Sequence, residues 1–162
     1  MEQLRMKTLP IKSCAFTGHR ELDVSFSPEK LWLAVEGLIQ DGVEQFYCGM
    51  AMGFDLLAAE AVLFLKKRYA QIKLTACIPF QNQERYYSET DKARYARILK
   101  DADEKILFAE EYTKDAPLKR NRYMAEQADA LIAYCKKEKG GSAYTVRYFK
   151  KIKPVGILIF ID

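Results

Sequence analysis

The chain has 162 residues, the length of one domain with one hydrophobic core. Its apolar fraction of 49% and charged fraction of 30% are typical of a soluble globular protein and argue against a disordered or membrane-spanning chain. A net charge of +4 favours phosphate-bearing ligands without requiring nucleic acid. Since residues 1–7 lack the apolar run of a signal peptide, we expect a single cytoplasmic domain over 1–162, with 1–12 as a short lead segment.

The cysteines and the histidine give no indication of a metal site. Cys14, Cys48, Cys77 and Cys135 are far apart and form no C-x-x-C pair, so we expect reduced thiols that pack as small apolar groups. His19 is the single histidine, which excludes a multi-histidine site and leaves one imidazole for acid–base chemistry.

Short apolar runs alternate with amphipathic stretches along the chain. Ser27 and Pro28 have the residue types of a helix N-cap and first turn. Residues 80–90 are polar and irregular. The predicted strands are 13–17, 45–48, 72–78, 105–108, 130–134 and 154–161, and the predicted helices are 28–40, 54–68, 91–99, 116–127 and 143–151.

This alternation predicts the fold class. Strands that alternate with helices form parallel sheets, and strands that are apolar throughout are covered on both faces. We therefore expect an α/β, Rossmann-like, doubly wound domain, with a mostly parallel sheet and helices on both faces.

Residues 49–53, with the sequence Gly-Met-Ala-Met-Gly, join the second predicted strand to the second predicted helix. Helix N-terminal amides bind phosphate, and glycine allows an anion to approach the backbone closely. We therefore predict that Gly49, Met50, Ala51 and Gly53 form the floor of a phosphate site. Because the spacing differs from the G-x-G-x-x-G dinucleotide pattern, a turn that needs glycine for backbone reasons alone is an equally good interpretation.

Glycines and polar residues are concentrated where the predicted strands end. Ligands of open parallel sheets bind beyond these carboxyl ends. We expect five segments of the chain to converge there, namely 17–20, 49–55, 79–84, 110–122 and 135–142. This asymmetry supports a ligand site more strongly than any single motif does.

Several side chains in these segments have a predicted role and a simpler alternative. Arg20 can neutralise a phosphate or form a surface ion pair. His19 can contact the ligand or make a local hydrogen bond. Asp55 can bind a ribose hydroxyl or hold the glycine turn. It can also be an acidic residue that the helix dipole stabilises, with no ligand. Ser142 and Thr145 can donate to a phosphate, or Ser142 can cap a helix.

The other predicted ligand-binding residues complete the same edge of the sheet. Gly140 and Gly141 form a second anion-binding turn, and Asn121 contacts ribose or supports the loops. Tyr86 and Tyr87 either stack on a base or pack their loop onto the domain. The remaining predicted positions are Thr17, Gly18, Pro79, Gln83 and Arg120.

Five segments of the chain together resemble the SLOG superfamily, a Rossmann-like group that includes the DNA-processing protein DprA and the LOG-type phosphoribohydrolases. Within it, the chain is similar to the YpsA/YspA-like family of small bacterial proteins. The segments are 17–20, 49–55, 79–84, 119–124 and 140–146. The resemblance implies a Rossmann-like fold and a pocket for a nucleotide or a nucleotide-derived ligand such as an ADP-ribose-like molecule.

The departures from these relatives shape the functional hypothesis. LOG-type enzymes carry a catalytic glutamate three residues after the threonine of their glycine motif, where this chain has Tyr148 after Thr145. We therefore favour a nucleotide-binding protein with a sensing or regulatory role over a hydrolase of an N-glycosidic or phosphoester bond. For that hydrolase, Glu84 and Glu110 are the candidate acids. Single-stranded nucleic acid is a less favoured partner, no membrane or certain cofactor is expected, and a homo-oligomer is compatible with the sequence.

Overall fold

A computed structural model describes residues 10–162 of the chain. Six strands, five α-helices and a short 3-10 helix, Gln83–Tyr86, are defined within these residues. The strands are β1 Ser13–Gly18, β2 Gln45–Cys48, β3 Lys73–Ile78, β4 Glu104–Leu107, β5 Ala130–Tyr134 and β6 Ile157–Phe160. The helices are α1 Pro28–Gln40, α2 Phe54–Lys66, α3 Glu89–Asp101, α4 Ala116–Gln127 and α5 Gly141–Ile152.

All six strands belong to one parallel sheet with the order β4-β3-β2-β1-β5-β6. The chain builds the sheet outward from β1 to β4 and then returns to add β5 on the other side of β1. Because parallel crossovers are right-handed, this reversal transfers the following helices to the opposite face. The predicted doubly wound α/β fold is confirmed.

Two layers of apolar side chains hold the helices to the sheet. Along β1, Cys14 and Phe16 pack under α1, α2 and α3, whereas Ala15 packs under α4 and α5. In β5, Ile132 and Leu131 divide in the same way between the two faces. Both faces of the central strands are therefore buried, which explains their continuous apolar sequence.

Several boundaries differ from the prediction by one to three residues, and three of the differences have a clear local cause. α3 begins at Glu89 because the Ser88 side chain accepts a hydrogen bond from the amide of Asp91 at 3.1 Å and caps the helix. α5 begins at Gly141, so the predicted role of Ser142 as its N-cap is wrong and Gly140 takes that position. β6 begins at Ile157 because residues 153–156 form a turn.

The start of the described chain is tied to the sheet. Residues 1–9 of the predicted lead segment lie outside the described residues. The amides of Lys12 and Ser13 donate to Asp129 Oδ2 at 2.8 and 3.2 Å, which fixes the beginning of β1 beside β5. No helix in residues 10–162 is both long and apolar enough to cross a membrane.

Candidate functional site

The reversal of strand order places a switch point between β1 and β5, whose carboxyl ends lie side by side. Gly18 at the end of β1 pairs with Tyr134 at the end of β5. The loops that follow these two strands turn away to opposite faces of the sheet, which opens a crevice between them. The segments around Arg20 and Gly140 face each other across this crevice.

A cleft with two adjoining compartments runs along this edge of the sheet. The switch-point compartment has a volume of about 310 Å³. Its walls include Thr17, Gly18, His19, Arg20, Asp55, Asn121, Lys137, Lys139, Gly140, Gly141 and Ser142. The larger aromatic compartment, of about 850 Å³, lies beyond β3 and β4. Its walls include Pro79, Phe80, Gln83, Arg85, Tyr86, Tyr87, Glu110, Glu111 and Tyr112. Arg20, Ala51, Pro117 and Arg120 border both compartments.

The N-terminus of α5 opens into the switch-point compartment without a side-chain cap. Gly140 is the N-cap residue with a φ of 105°, a conformation that favours glycine, and a Cβ built there would meet no atom within 4 Å. Gly141 and Ser142 follow in the first turn, where backbone amides have no partner inside the helix. Because Arg20, Lys137 and Lys139 line the same space, its electrostatic character favours an anion.

Asp55 brings one buried carboxylate to this cationic compartment. The residue is 5% exposed, and its Oδ2 accepts a hydrogen bond from the amide of Ala51 at 3.2 Å. Its Oδ1 is buried and has no hydrogen-bond partner among the described residues. Burial raises the pKa of Asp55 from 3.8 to about 6, although the positive charges of Arg120 and Arg20 act in the opposite direction.

The Gly49–Gly53 turn is held by contacts inside the protein. The carbonyl of Gly49 accepts from Arg120 Nη1 and from Gln83 Nε2, and the carbonyl of Met50 accepts from the Tyr87 hydroxyl at 3.0 Å. Gly53 has a φ of 80°, and a Cβ there would collide with the backbone carbonyl of Arg20. These contacts explain both glycines by packing, the second of the two interpretations that the sequence left open.

Arg120 is buried and has a structural role, in contrast to an exposed arginine that binds phosphate. It is 7% exposed, and its Nη1 also donates to the carbonyl of Cys77 at 3.2 Å. Its Nε donates to Asn121 Oδ1 at 2.8 Å. Arg120 therefore joins the ends of β2 and β3 to α4, and burial lowers the pKa of its guanidinium.

His19 joins the two loops of the switch point. Its Nε2 accepts a hydrogen bond from the amide of Lys136 at 2.8 Å, which requires the neutral imidazole. The ring also packs edge-on against Tyr134, with ring centroids 5.5 Å apart. Burial, together with the charge of Lys137, lowers the pKa of His19 below 6.5.

The other predicted residues divide between the cleft and its supports. Thr17, Gly18, Arg20, Ala51, Asn121, Gly140, Gly141 and Ser142 line the switch-point compartment, and Pro79, Gln83 and Glu110 line the aromatic compartment. Glu84, Gly49, Met50, Gly53 and Thr145 lie outside the walls of both. The hydroxyl of Thr145 donates to the carbonyl of Gly141 at 2.9 Å and so points back into its own helix.

Sequence reasoning missed several residues of the cleft. Lys137 and Lys139 belong to a charged run of a kind that is usual on solvated surfaces, yet both line the switch-point compartment. Phe80 and Tyr112 form an edge-to-face pair in the aromatic compartment, with ring centroids 5.2 Å apart. All four belong to the segments that we expected to converge beyond the strand ends, but none of them was singled out there as a ligand-binding residue.

The parallel sheet, its switch point and the adjoining cleft define a Rossmann-like α/β protein. A family model described as YpsA, the YspA SLOG family, matches residues 14–155, and the chain belongs to this family. The resemblance inferred from the five sequence segments is therefore confirmed.

Two bacterial proteins illustrate the similarity in sequence. A UPF0398 protein of Halalkalibacterium halodurans is 29% identical over 141 residues, which cover 83% of this chain and 72% of the relative. The SPbeta prophage-derived protein YoqJ of Bacillus subtilis is 32% identical over 136 residues, which cover 76% of this chain and 80% of YoqJ.

Two solved structures of DNA processing protein A have the same fold. The Helicobacter pylori protein superposes with a TM-score of 0.67 at 20% identity over 93% of this chain. The Streptococcus pneumoniae protein superposes with a TM-score of 0.63 at 17% identity over 92% of this chain. Our chain spans 65% and 58% of these two proteins.

Proposed function

We propose that the chain binds a phosphorylated ribose, as part of a nucleotide or a nucleotide-derived ligand, in the switch-point compartment. The phosphate would lie on the amides at the N-terminus of α5, with Arg20, Lys137 and Lys139 as counter-charges. In this proposal the protein is a cytoplasmic binding or sensing protein for an ADP-ribose-like or related small molecule. The SLOG family and the DNA-processing neighbours fit a nucleotide or nucleic-acid binding role.

One juxtaposition carries this proposal. The uncapped N-terminus of α5 and the unpaired Oδ1 of Asp55 belong to the same small compartment. The first favours a bound anion, and the second needs a hydrogen-bond donor, because a buried unpaired oxygen is costly. A sugar phosphate supplies both groups, since its phosphate is the anion and its hydroxyls are donors.

The placement of the acidic residues favours binding over hydrolysis. Glu84 lies outside the cleft walls, and Glu110 is an exposed residue of the aromatic compartment. Tyr148, at the position of the LOG-type glutamate, donates its hydroxyl to Glu126 at 2.6 Å on the surface between α4 and α5. A phosphoribohydrolase of the LOG type would require a carboxylate at that position to reach the ligand.

A second candidate function is the binding of single-stranded nucleic acid. The Helicobacter pylori DNA processing protein A binds single-stranded DNA. In our chain, Tyr86 and Tyr112 border the aromatic compartment and are 85% and 66% exposed, as stacking platforms for bases are. Glu110 and Glu111 place two carboxylates in the same compartment as Arg20, Arg85 and Arg120, so its lining is not uniformly cationic and this candidate ranks second.

Calorimetric titration with AMP, ADP, ADP-ribose and NAD tests the proposal. The informative variant is Gly141→Glu, which places a carboxylate in the first turn of α5. A carboxylate there interacts favourably with the helix dipole, so the fold should remain stable. The same carboxylate should repel the phosphate of the ligand. Gly37→Glu is the matched control, because Gly37 is likewise a helical glycine, in α1. A Cβ added at Gly37 meets no atom within 4 Å.

We expect at least one of the four ligands to bind, with affinity reduced about tenfold or more in Gly141→Glu and little changed in Gly37→Glu. Equal binding by wild type and Gly141→Glu would refute the site, and no binding by any ligand would refute the proposed function. Release of a free base during incubation, followed by NMR, would instead favour the hydrolase. Affinity for oligo-dT that falls steeply with salt would favour the nucleic-acid candidate.

A further inference from the structure

We propose that the aromatic compartment binds the base of the nucleotide, and that this base carries an exocyclic amino group. This inference rests on the proposed function, which places only the phosphate and the ribose. It assigns a role to the loops after β3 and β4, which the switch-point compartment does not use.

The first observation is the pair of exposed aromatic rings at one cavity. Tyr86 follows β3 and is 85% exposed, and Tyr112 follows β4 and is 66% exposed. Because β3 and β4 are neighbours in the sheet, both rings border the same space. Two exposed aromatic rings therefore share one cavity, and the flat face of a base suits such rings.

The second observation is that one wall of this compartment is rigid. Tyr87 donates its hydroxyl to the carbonyl of Met50 at 3.0 Å and packs edge-on against Tyr95, with centroids 5.9 Å apart. The Tyr95 hydroxyl in turn donates to Gln83 Oε1 at 3.1 Å. Tyr87 and Gln83 are therefore already engaged with the protein. Tyr86 and Tyr112 are the two exposed tyrosine rings of this compartment, and their protein contacts are with Arg85 and Phe80.

The third observation is the separation of charge along the cleft. Lys137 and Lys139 line only the switch-point compartment, and the carboxylates of Glu110 and Glu111 line only the aromatic compartment. Arg20 and Arg120 border both compartments. Arg85, in the loop after β3, also lines the aromatic compartment. It lies over the ring of Tyr86, 5.6 Å from the ring centroid. A ligand with its phosphate at α5 and a hydrogen-bond-donating base at β4 matches this polarity.

The continuity of the two compartments permits one ligand to occupy both. Arg20, Ala51 and Pro117 border each of them. A ribose at Asp55 would lie next to this shared wall, so that its phosphate and its base extend in opposite directions. Glu110 and Glu111 are the acidic groups at the base end, where a nucleotide would present an amino group and a strand of nucleic acid would present a further phosphate.

AMP, IMP and ribose 5-phosphate test the inference, because AMP and IMP differ in the 6-amino group of the base and ribose 5-phosphate lacks a base. We expect AMP to bind more tightly than IMP and ribose 5-phosphate. Tyr112→Ala and Tyr86→Ala should each weaken the binding of AMP by about 5- to 150-fold, the range for a side chain that stacks on a base. Both rings are exposed, so their loss should not disturb folding. Phe64→Ala is the control, since this half-exposed ring lies at the end of α2 far from the cleft.

A double variant, Glu110→Ala with Glu111→Ala, removes both side-chain acceptors and should abolish the preference for AMP over IMP. If AMP binding is lost in Gly141→Glu but unchanged in both tyrosine variants, the base lies elsewhere and only this inference is overturned. If AMP and IMP bind equally to the wild type, the amino-group assignment is overturned. If AMP, IMP and ribose 5-phosphate all fail to bind, the inference is overturned together with nucleotide binding itself.

Discussion

The guanidinium of Arg120 occupies the space in which a side chain at Gly49 would begin. A Cβ built on Gly49 would lie 2.6 Å from Nη1 and 2.8 Å from Cζ of Arg120. The same guanidinium donates to the carbonyl of Gly49 and to that of Cys77. One buried cation thus fixes the end of β2, the end of β3 and the start of the glycine turn.

Gly49→Ala is expected to destabilise the protein. The added methyl group must displace a buried guanidinium and break its hydrogen bonds, which should cost about 2–4 kcal/mol. Urea denaturation measures the loss. Gly37→Ala is the control, because its Cβ meets no neighbour within 4 Å in α1, and it should stabilise the helix by about 0.5–1 kcal/mol. A neutral effect of Gly49→Ala would contradict the packing role of Gly49.

Arg120→Lys is also expected to destabilise the protein, although it retains the positive charge. Arg120 uses Nε toward Asn121 and Nη1 toward two carbonyls, a planar arrangement that an ammonium group does not reproduce. We expect the free energy of unfolding to fall by about 2–4 kcal/mol, as measured by chemical denaturation. Lys119→Arg, the reverse exchange at the neighbouring exposed position, should change stability by less than about 0.5 kcal/mol. Similar small effects for both would refute a bridging role for Arg120.

The fold was predictable because local signals and burial agree. The predicted ranges 45–48, 116–127 and 130–134 coincide with β2, α4 and β5. Continuous apolar runs identified the central strands, since both of their faces are covered. The Ser27–Pro28 start of α1 was visible for a similar reason, because the Ser27 side chain accepts from the amide of Lys30 at 3.3 Å, as an N-cap does.

The candidate site was predictable only in outline. The strand ends indicated the edge of the sheet, but the reason for Gly49 is a guanidinium 71 positions away in the chain. The start of α5 was predicted at residue 143 because glycine is a poor helix former, although Gly141 occupies the first turn. Lys137 and Lys139 resembled ordinary surface, since a charge run does not reveal that it borders a cleft. Such relations between distant segments arise from the tertiary fold.

The imidazole of His19 is expected to titrate below pH 6.5. Protonation removes the acceptor that binds the amide of Lys136 and places a second positive charge near Lys137. Since the folded pKa lies below the unfolded value, the contribution of His19 to stability is present above pH 6.5 and is lost as the pH falls through the folded pKa. NMR follows the ring directly, because the chain has one histidine.

Lys137→Gln should raise the pKa of His19 toward 6.5, because it removes the neighbouring like charge. Lys151→Gln, near the end of α5, is the control and should leave the titration unchanged. A wild-type pKa at or above 6.5 would show that the imidazole does not accept from Lys136 in solution.

Asp55→Asn is expected to remove one component of the pH dependence of stability. The folded pKa of Asp55 is about 6, above its ordinary value of 3.8, because burial disfavours the carboxylate. The folded state therefore holds this proton more tightly than the unfolded state, and the contribution of Asp55 to stability falls as the pH rises from about 4 to 6. The difference between the two pKa values corresponds to about 3 kcal/mol.

Asparagine does not titrate, so the free energy of unfolding of Asp55→Asn relative to wild type should rise by up to this amount between pH 4 and pH 7.5. Urea denaturation across this range measures it, and Asp41→Asn, at an exposed position after α1, should give a flat difference. A flat difference for Asp55→Asn as well would mean that Asp55 is solvated or paired in solution, which would remove the unpaired oxygen on which the proposed ribose contact depends.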